Sequence, residues 1–134
     1  MSRGSRKWLL SNYPLYQQLI EKEVRKVVVK ELKKYKALRV AVQNRKEQEE
    51  QGVRGLFPAL YESDKQKEMK VRQIERALQY TLDEIERRII EEKYLGTTRV
   101  KDITLYLDMG LTKEQYYMKK KEAIFQIATA LGII

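Results

Sequence analysis

The sequence predicts an all-α protein, a long N-terminal helix followed by a C-terminal helix-turn-helix bundle. Three observations lead there. Only two prolines and six glycines interrupt the 134 residues, so long stretches are open to helix. Apolar residues recur at three- and four-residue steps from Tyr16 to Val42, the spacing of one helix face. Two capping-box patterns, Asp83 with Glu86 and Thr112 with Gln115, mark helix starts near the C-terminus.

Pro14 suits the first turn of a helix, with Ser11 or Asn12 as its cap, and residues 1–12 read as a loose lead-in. From there to about Glu50 the stripe Tyr16, Ile20, Val24, Val28, Leu32, Tyr35, Leu38 and Val42 fixes the inward face. The β-branched run Val27–Val28–Val29 lowers local helix propensity, but the periodicity around it is expected to prevail. Lys22, Arg25, Lys26, Lys30, Lys33, Lys34 and Lys36 fall on the other faces. They read either as a solvated polar face or as a contact for a DNA backbone or a polymerase.

Gly52, Gly55 and Pro58 then break the pattern and predict a loop or hinge over 51–63. Leu56, Phe57 and Leu60 are candidates to tuck that loop against a core. A second helix is expected from Asp64 to Tyr80, with Met69, Ile74, Ala77 and Leu78 apolar. A third starts at the Asp83 cap, carries Ile85, Ile89, Ile90 and Tyr94 on one side and stops at Gly96. In "TTRVKDITLYLDMG" the apolar residues alternate, which by period alone favours a strand. A threonine available as a cap and Gly110 behind it favour a short helix, and a lone strand has nothing to pair with. The last helix follows the Thr112 cap, with Tyr116, Ala123, Ile124, Ile127 and Leu131 inward. Lys120 lies near that face, its stem packed and its ammonium reaching for water. Phe125 falls outside the stripe and is expected to meet the N-terminal helix or a second subunit.

The three regions are therefore 1–50, a long basic helical region; 51–63, the loop or hinge; and 64–134, the helix-turn-helix domain. Charge divides unevenly between the halves. Residues 1–60 hold 14 Lys/Arg against 6 Asp/Glu, whereas 61–134 hold 14 against 13, within a net charge of +9. A basic surplus favours a polyanionic partner, nucleic acid before membrane. With no cysteine and no histidine, disulfides, thiolate chemistry, the commonest metal ligand and the commonest general base are excluded. No nucleophile–base pair assembles, so neither an enzyme nor a cofactor nor a metal is expected. No stretch approaches the roughly 18 apolar residues of a membrane span.

A helix, a glycine turn and a capped basic helix form the helix-turn-helix pattern, whose second helix presents its first residues to the major groove. Those outward residues are Lys113, Gln115, Tyr117, Met118 and Lys121. Glutamine pairs bidentately with adenine, lysine reaches guanine or phosphate, and an apolar tip meets a thymine methyl. The alternatives are plain: Gln115 only caps its helix, Tyr116 is core, and Lys119–Lys121 are a solvated run.

The segments "LDEIERRIIEEKYLG" and "DITLYLDMGLTKEQYYMKKKEAIFQIATALGI", with "GVRG" at 52–55 before them, resemble the C-terminal half of the ArpU/RinA-type phage transcriptional regulators. That family is similar in turn to the promoter-reading domain of sigma factors. The resemblance covers roughly residues 50–134, and the N-terminal helix only in outline. It implies a regulator activating late phage genes for packaging, structure or lysis in the cytoplasm of a bacterial host, at the nucleoid. Double-stranded DNA is the implied partner, RNA polymerase a second one, and a homodimer is admitted. Carried over by position, Thr112, Lys113, Gln115, Tyr117, Met118 and Lys121 would read or position DNA, while Arg99 and Lys101 would contact phosphate. The stretch from Gly96 to Met109 is slightly longer than in a plain sigma-type motif. Two other readings fit a basic helical chain: a small-terminase-like packaging protein, which forms rings, and a helical adaptor that binds protein alone.

Overall fold

The computed structural model describes the backbone of residues 3–134 and the side chains from Pro14 onward. It is all-α, with five helices and no strand among the described residues. Helix α1 spans Arg3–Glu50, α2 Asp64–Tyr80, α3 Glu84–Ile90, α4 Asp102–Asp108 and α5 Lys113–Ala130. A π-helical turn over Glu91–Leu95 prolongs α3.

Helix α1 starts earlier than the sequence suggests. Its backbone is helical from Arg3, so the expected loose lead-in is corrected for residues 3–12, and Pro14 sits inside the helix rather than in its first turn. Residues 1 and 2 lie outside the described residues, as do the side chains of Ser11 and Asn12 that were expected to cap. A proline deletes one i→i−4 bond. Good helix formers on both sides, Lys7 to Leu10 and Leu15 to Gln18, carry the helix across that gap. At 48 residues and 1.5 Å per residue, α1 is about 72 Å long.

The α1 stripe does what its period requires. Val24, Val28, Leu32, Tyr35 and Val42 are buried, with Leu38 packed beside them, while Tyr16 and Ile20 at the near end stay largely exposed. These residues share one core with Val71, Ile74 and Leu78 of α2, Ile90 of α3, and Ala123, Ile124, Ile127 and Ala128 of α5. At roughly 1.5–3 kcal/mol for each fully buried aliphatic side chain, Val28, Leu32, Ile90 and Ile127 are its anchors. In α2 the buried position is Val71, and Met69 is exposed. Val71 stands three residues before Ile74 and so shares its face, which Met69, five residues away, does not. Ile85 in the first turn of α3 is likewise exposed.

Polar contacts also tie the elements together. The Tyr35 hydroxyl donates to Glu75 at 3.2 Å, and Arg45 pairs with Asp64 at 2.9 Å, joining α1 to α2. Arg87 donates to the Leu78 and Gln79 carbonyls, left open at the end of α2, and to the Leu82 carbonyl in the linker that follows. The 51–63 loop departs from expectation. Leu56, Phe57 and Leu60 remain exposed rather than tucked against a core. Gly52 turns left-handed at φ +69°, and its flanking bonds from the Gly52 and Val53 amides close the end of α1.

A candidate nucleic-acid interface

Helices α4 and α5 and the turn between them form a helix-turn-helix. In α4 the N-cap is Lys101, with no side-chain bond, rather than a threonine; Thr97 and Thr98 lie too far upstream. Asp102 supplies the acidic first turn instead. Of the alternating apolar residues only Leu105 is buried; Ile103 and Leu107 face solvent, since a helix turns successive odd positions away from one another. The connecting turn is set by Gly110 at φ +68°, with Leu111 N–H bonded to Tyr106 C=O at 2.9 Å. Thr112 then caps α5 and Gln115 completes the box, each side chain accepting from the other's backbone N–H at 3.1 and 3.0 Å.

A small second core holds this pair in place. Ile89, Leu105 and Tyr116 are buried together, with Val100, Tyr106, Met109 and Leu111 around them. Tyr116 is wholly enclosed, its ring 5.7 Å from Tyr106 and edge-on to Tyr117 at 5.3 Å. Its hydroxyl donates to Asp102 at 2.6 Å. The same carboxylate oxygen accepts from Lys120 at 3.1 Å and lies 3.6 Å from the Lys93 ammonium. Burial by itself raises the Asp102 pKa, but the bonds from Tyr116 and Lys120 and the two ammonium charges outweigh it and hold the group below the usual range. Burial pushes the Tyr94 hydroxyl up to about 12, with the Asp102 charge adding to the effect.

Each lysine of the α5 run has an ion-pair partner within the molecule, although Lys121 stays half exposed. Lys119 reaches Asp83 at the start of α3 at 2.7 Å, Lys120 reaches Asp102 at the start of α4, and Lys121 reaches Glu21 of α1 at 2.7 Å. Three consecutive lysines thus fasten α5 to three other helices. Lys120 does not extend its ammonium to water, as its position suggested; with Asp102 at hand, pairing replaces hydration, and its side chain is only 12% exposed. Phe125 packs beside the core and lines a recess with Tyr16, Gln17, Ile20 and Glu21 of α1, the first of its two expected neighbours.

The residues expected to meet DNA fall into four groups. Thr112 and Gln115 are exposed but engaged with each other in the cap, leaving the Gln115 amide N–H group as its open donor. Lys113 and Met118 are exposed, and neither has an ion or hydrogen-bond partner among the described residues. Tyr117 and Lys121 turn toward α1 and line a recess with Glu21, Arg25 and Phe125. Arg99 and Lys101 are exposed on the loop before α4. Lys36 of α1 donates to Gly96 C=O at 2.7 Å and holds that loop against the long helix. Gly96 itself has φ −74°, so the third helix ends there without a left-handed turn.

The sequence did not single out the concave surface between α1 and this unit. Arg25, Lys26, Val29, Lys30 and Lys33 form its α1 wall, and Tyr94, Asp102, Tyr117 and Lys120 its opposite wall, around a cavity of about 590 Å³. The signal was present in the spacing of 22, 26, 30 and 33, but which helix would lie opposite was not legible from the chain. Among the described residues no group of His, Cys, Asp and Glu is arranged to hold a metal, and no helix is long and apolar enough to cross a membrane. No family model matches the sequence, and no curated protein or solved structure is significantly similar to it.

Proposed function

We propose that the chain is a sequence-specific DNA-binding transcriptional regulator, an activator of late phage genes that works with RNA polymerase. The observation that carries this reading is the α4–turn–α5 unit. A short helix, a left-handed Gly110 and a doubly capped second helix leave Lys113 and Met118 exposed at the end that enters a major groove. The resemblance of 50–134 to the ArpU/RinA-type regulators adds the promoter context and the polymerase. The basic surplus supports a polyanionic partner.

The test is selection of bound fragments from the whole parent genome, followed by affinity measurements on the enriched duplexes and on random duplex. The wild-type chain should enrich a small set of promoter-proximal fragments. Lys113→Ala with Met118→Ala should erase most of that preference while leaving random-duplex affinity nearly unchanged, because base contacts specify and phosphate contacts position. Equal binding of all fragments by the wild type would refute sequence-specific regulation. A ring-sized multimer in solution would favour a packaging protein instead.

A further inference from the structure

The open face of α5 is a poor source of attraction for DNA. Its three lysines are paired with Asp83, Asp102 and Glu21. The charged residues exposed at its leading end without an ion-pair partner among the described residues are Lys113, Glu114 and Glu122. One cation against two carboxylates cannot supply the electrostatic part of duplex binding, which scales with the number of phosphates neutralised. The charge has to come from elsewhere.

Helix α1 carries it. Lys22, Arg25, Lys26, Lys30 and Lys33 recur at three- and four-residue steps and are all exposed. Of these only Lys26 has an ion-pair partner among the described residues, an exposed contact with Glu23 at 3.4 Å. The other acidic residues of this stretch point elsewhere: Glu21 to Lys121, Glu31 to Lys34. The stripe spans about 16 Å, enough to pass several phosphates of one strand. It ends where Lys36 fastens the loop bearing Arg99 and Lys101. Across the concave surface stand Tyr94 and Tyr117, whose hydroxyls suit a phosphate or sugar oxygen.

We infer that the α1 stripe Arg25, Lys30 and Lys33 forms a phosphate-backbone site for duplex DNA, running beside the recognition helix. The site rests on the DNA-binding reading above and adds a sequence-independent grip to it. α1 is then both a core helix and the main electrostatic contact, with α5 left to choose the sequence.

The experiment compares Lys30→Gln/Lys33→Gln with Arg72→Gln/Arg76→Gln, two exposed arginines of α2 whose replacement removes the same charge outside the stripe. Affinity for random-sequence duplex is measured over a salt series, with circular dichroism melting to check each fold. The α1 pair should lower the log–log salt slope by about 0.9 for each phosphate left without its cation, and weaken enriched and random fragments by the same factor. The α2 pair should leave the slope unchanged. If the wild type binds duplex and the α1 pair keeps its slope, or the α2 pair flattens it as much, the site is wrong and the regulator reading stands. If the wild type binds no duplex, both fall.

Discussion

Asp102 gathers a tyrosine hydroxyl and two ammonium groups around one oxygen, and its chemistry yields predictions at the scale of single residues. Its pKa is lowered on folding, so the charged form adds stability above the unfolded value near ~4, and that stability is lost as pH falls through the folded value. Asp102→Asn should cost about 1–3 kcal/mol at neutral pH, since it strips partners from the mostly buried Lys120. Urea midpoints of variant and wild type should converge as pH falls below the lowered folded value of Asp102. Tyr94 works in the opposite direction. Its pKa is raised to about 12, so its contribution is complete below the unfolded value near ~10 and declines as pH climbs from there through about 12. Tyr94→Phe should flatten the alkaline loss in a pH series of thermal melts. Tyr116→Phe keeps the ring packing and removes only the hydroxyl, and about 1–2 kcal/mol should go with it in the same urea assay.

At the scale of elements, short-range chemistry was the most legible part of the chain. Both capping boxes form as their spacing demands, because a side chain three residues from a free N–H has one geometry in which to reach it. Thr112→Ala should cost about 1 kcal/mol in denaturant unfolding. Gly110→Ala should cost a similar amount, since φ +68° is strained for any residue with a Cβ; nothing lies close enough to clash, so the loss is conformational. What the sequence hid was the use of outward residues. Lys113 and Met118 are exposed as expected, but Tyr117 and Lys121 face α1. Helical phase tells which residues leave the core; only tertiary packing decides whether they then meet water or another helix.

Over the whole molecule, the long helix and the helix-turn-helix share a core, which no local pattern could reveal. The stripe on α1 predicts burial without naming its partner, and the partners prove to be α2, α3 and α5 together. Residues 64–134 expressed alone should therefore lose cooperative unfolding, because Val28, Leu32 and Tyr35 no longer cover Ile74, Ile124 and Ile127. A broad, shallow melt is the expected outcome. A sharp transition at the full-length temperature would mean that α1 contributes little to stability. The exposed 51–63 loop was legible as a break but not in its packing: glycine and proline announce a turn and say nothing about where Leu56, Phe57 and Leu60 go.

The π-helical turn at Glu91–Leu95 bears on how this chain can vary in length. A π turn closes over five residues where an α turn closes over four, so it stores one surplus residue at the end of the helix without disturbing the phase of α3 before it. Removing Glu91, which is exposed, should let the turn relax into ordinary α-helix, with Ile89 and Ile90 before it and Tyr94 after it still facing their cores. The same one-residue loss in the middle of α2 or α5 would rotate everything downstream by about 100° and swing the apolar stripe into water. A single-residue deletion should therefore be tolerated at this turn and disrupt folding in the middle of α2 or α5.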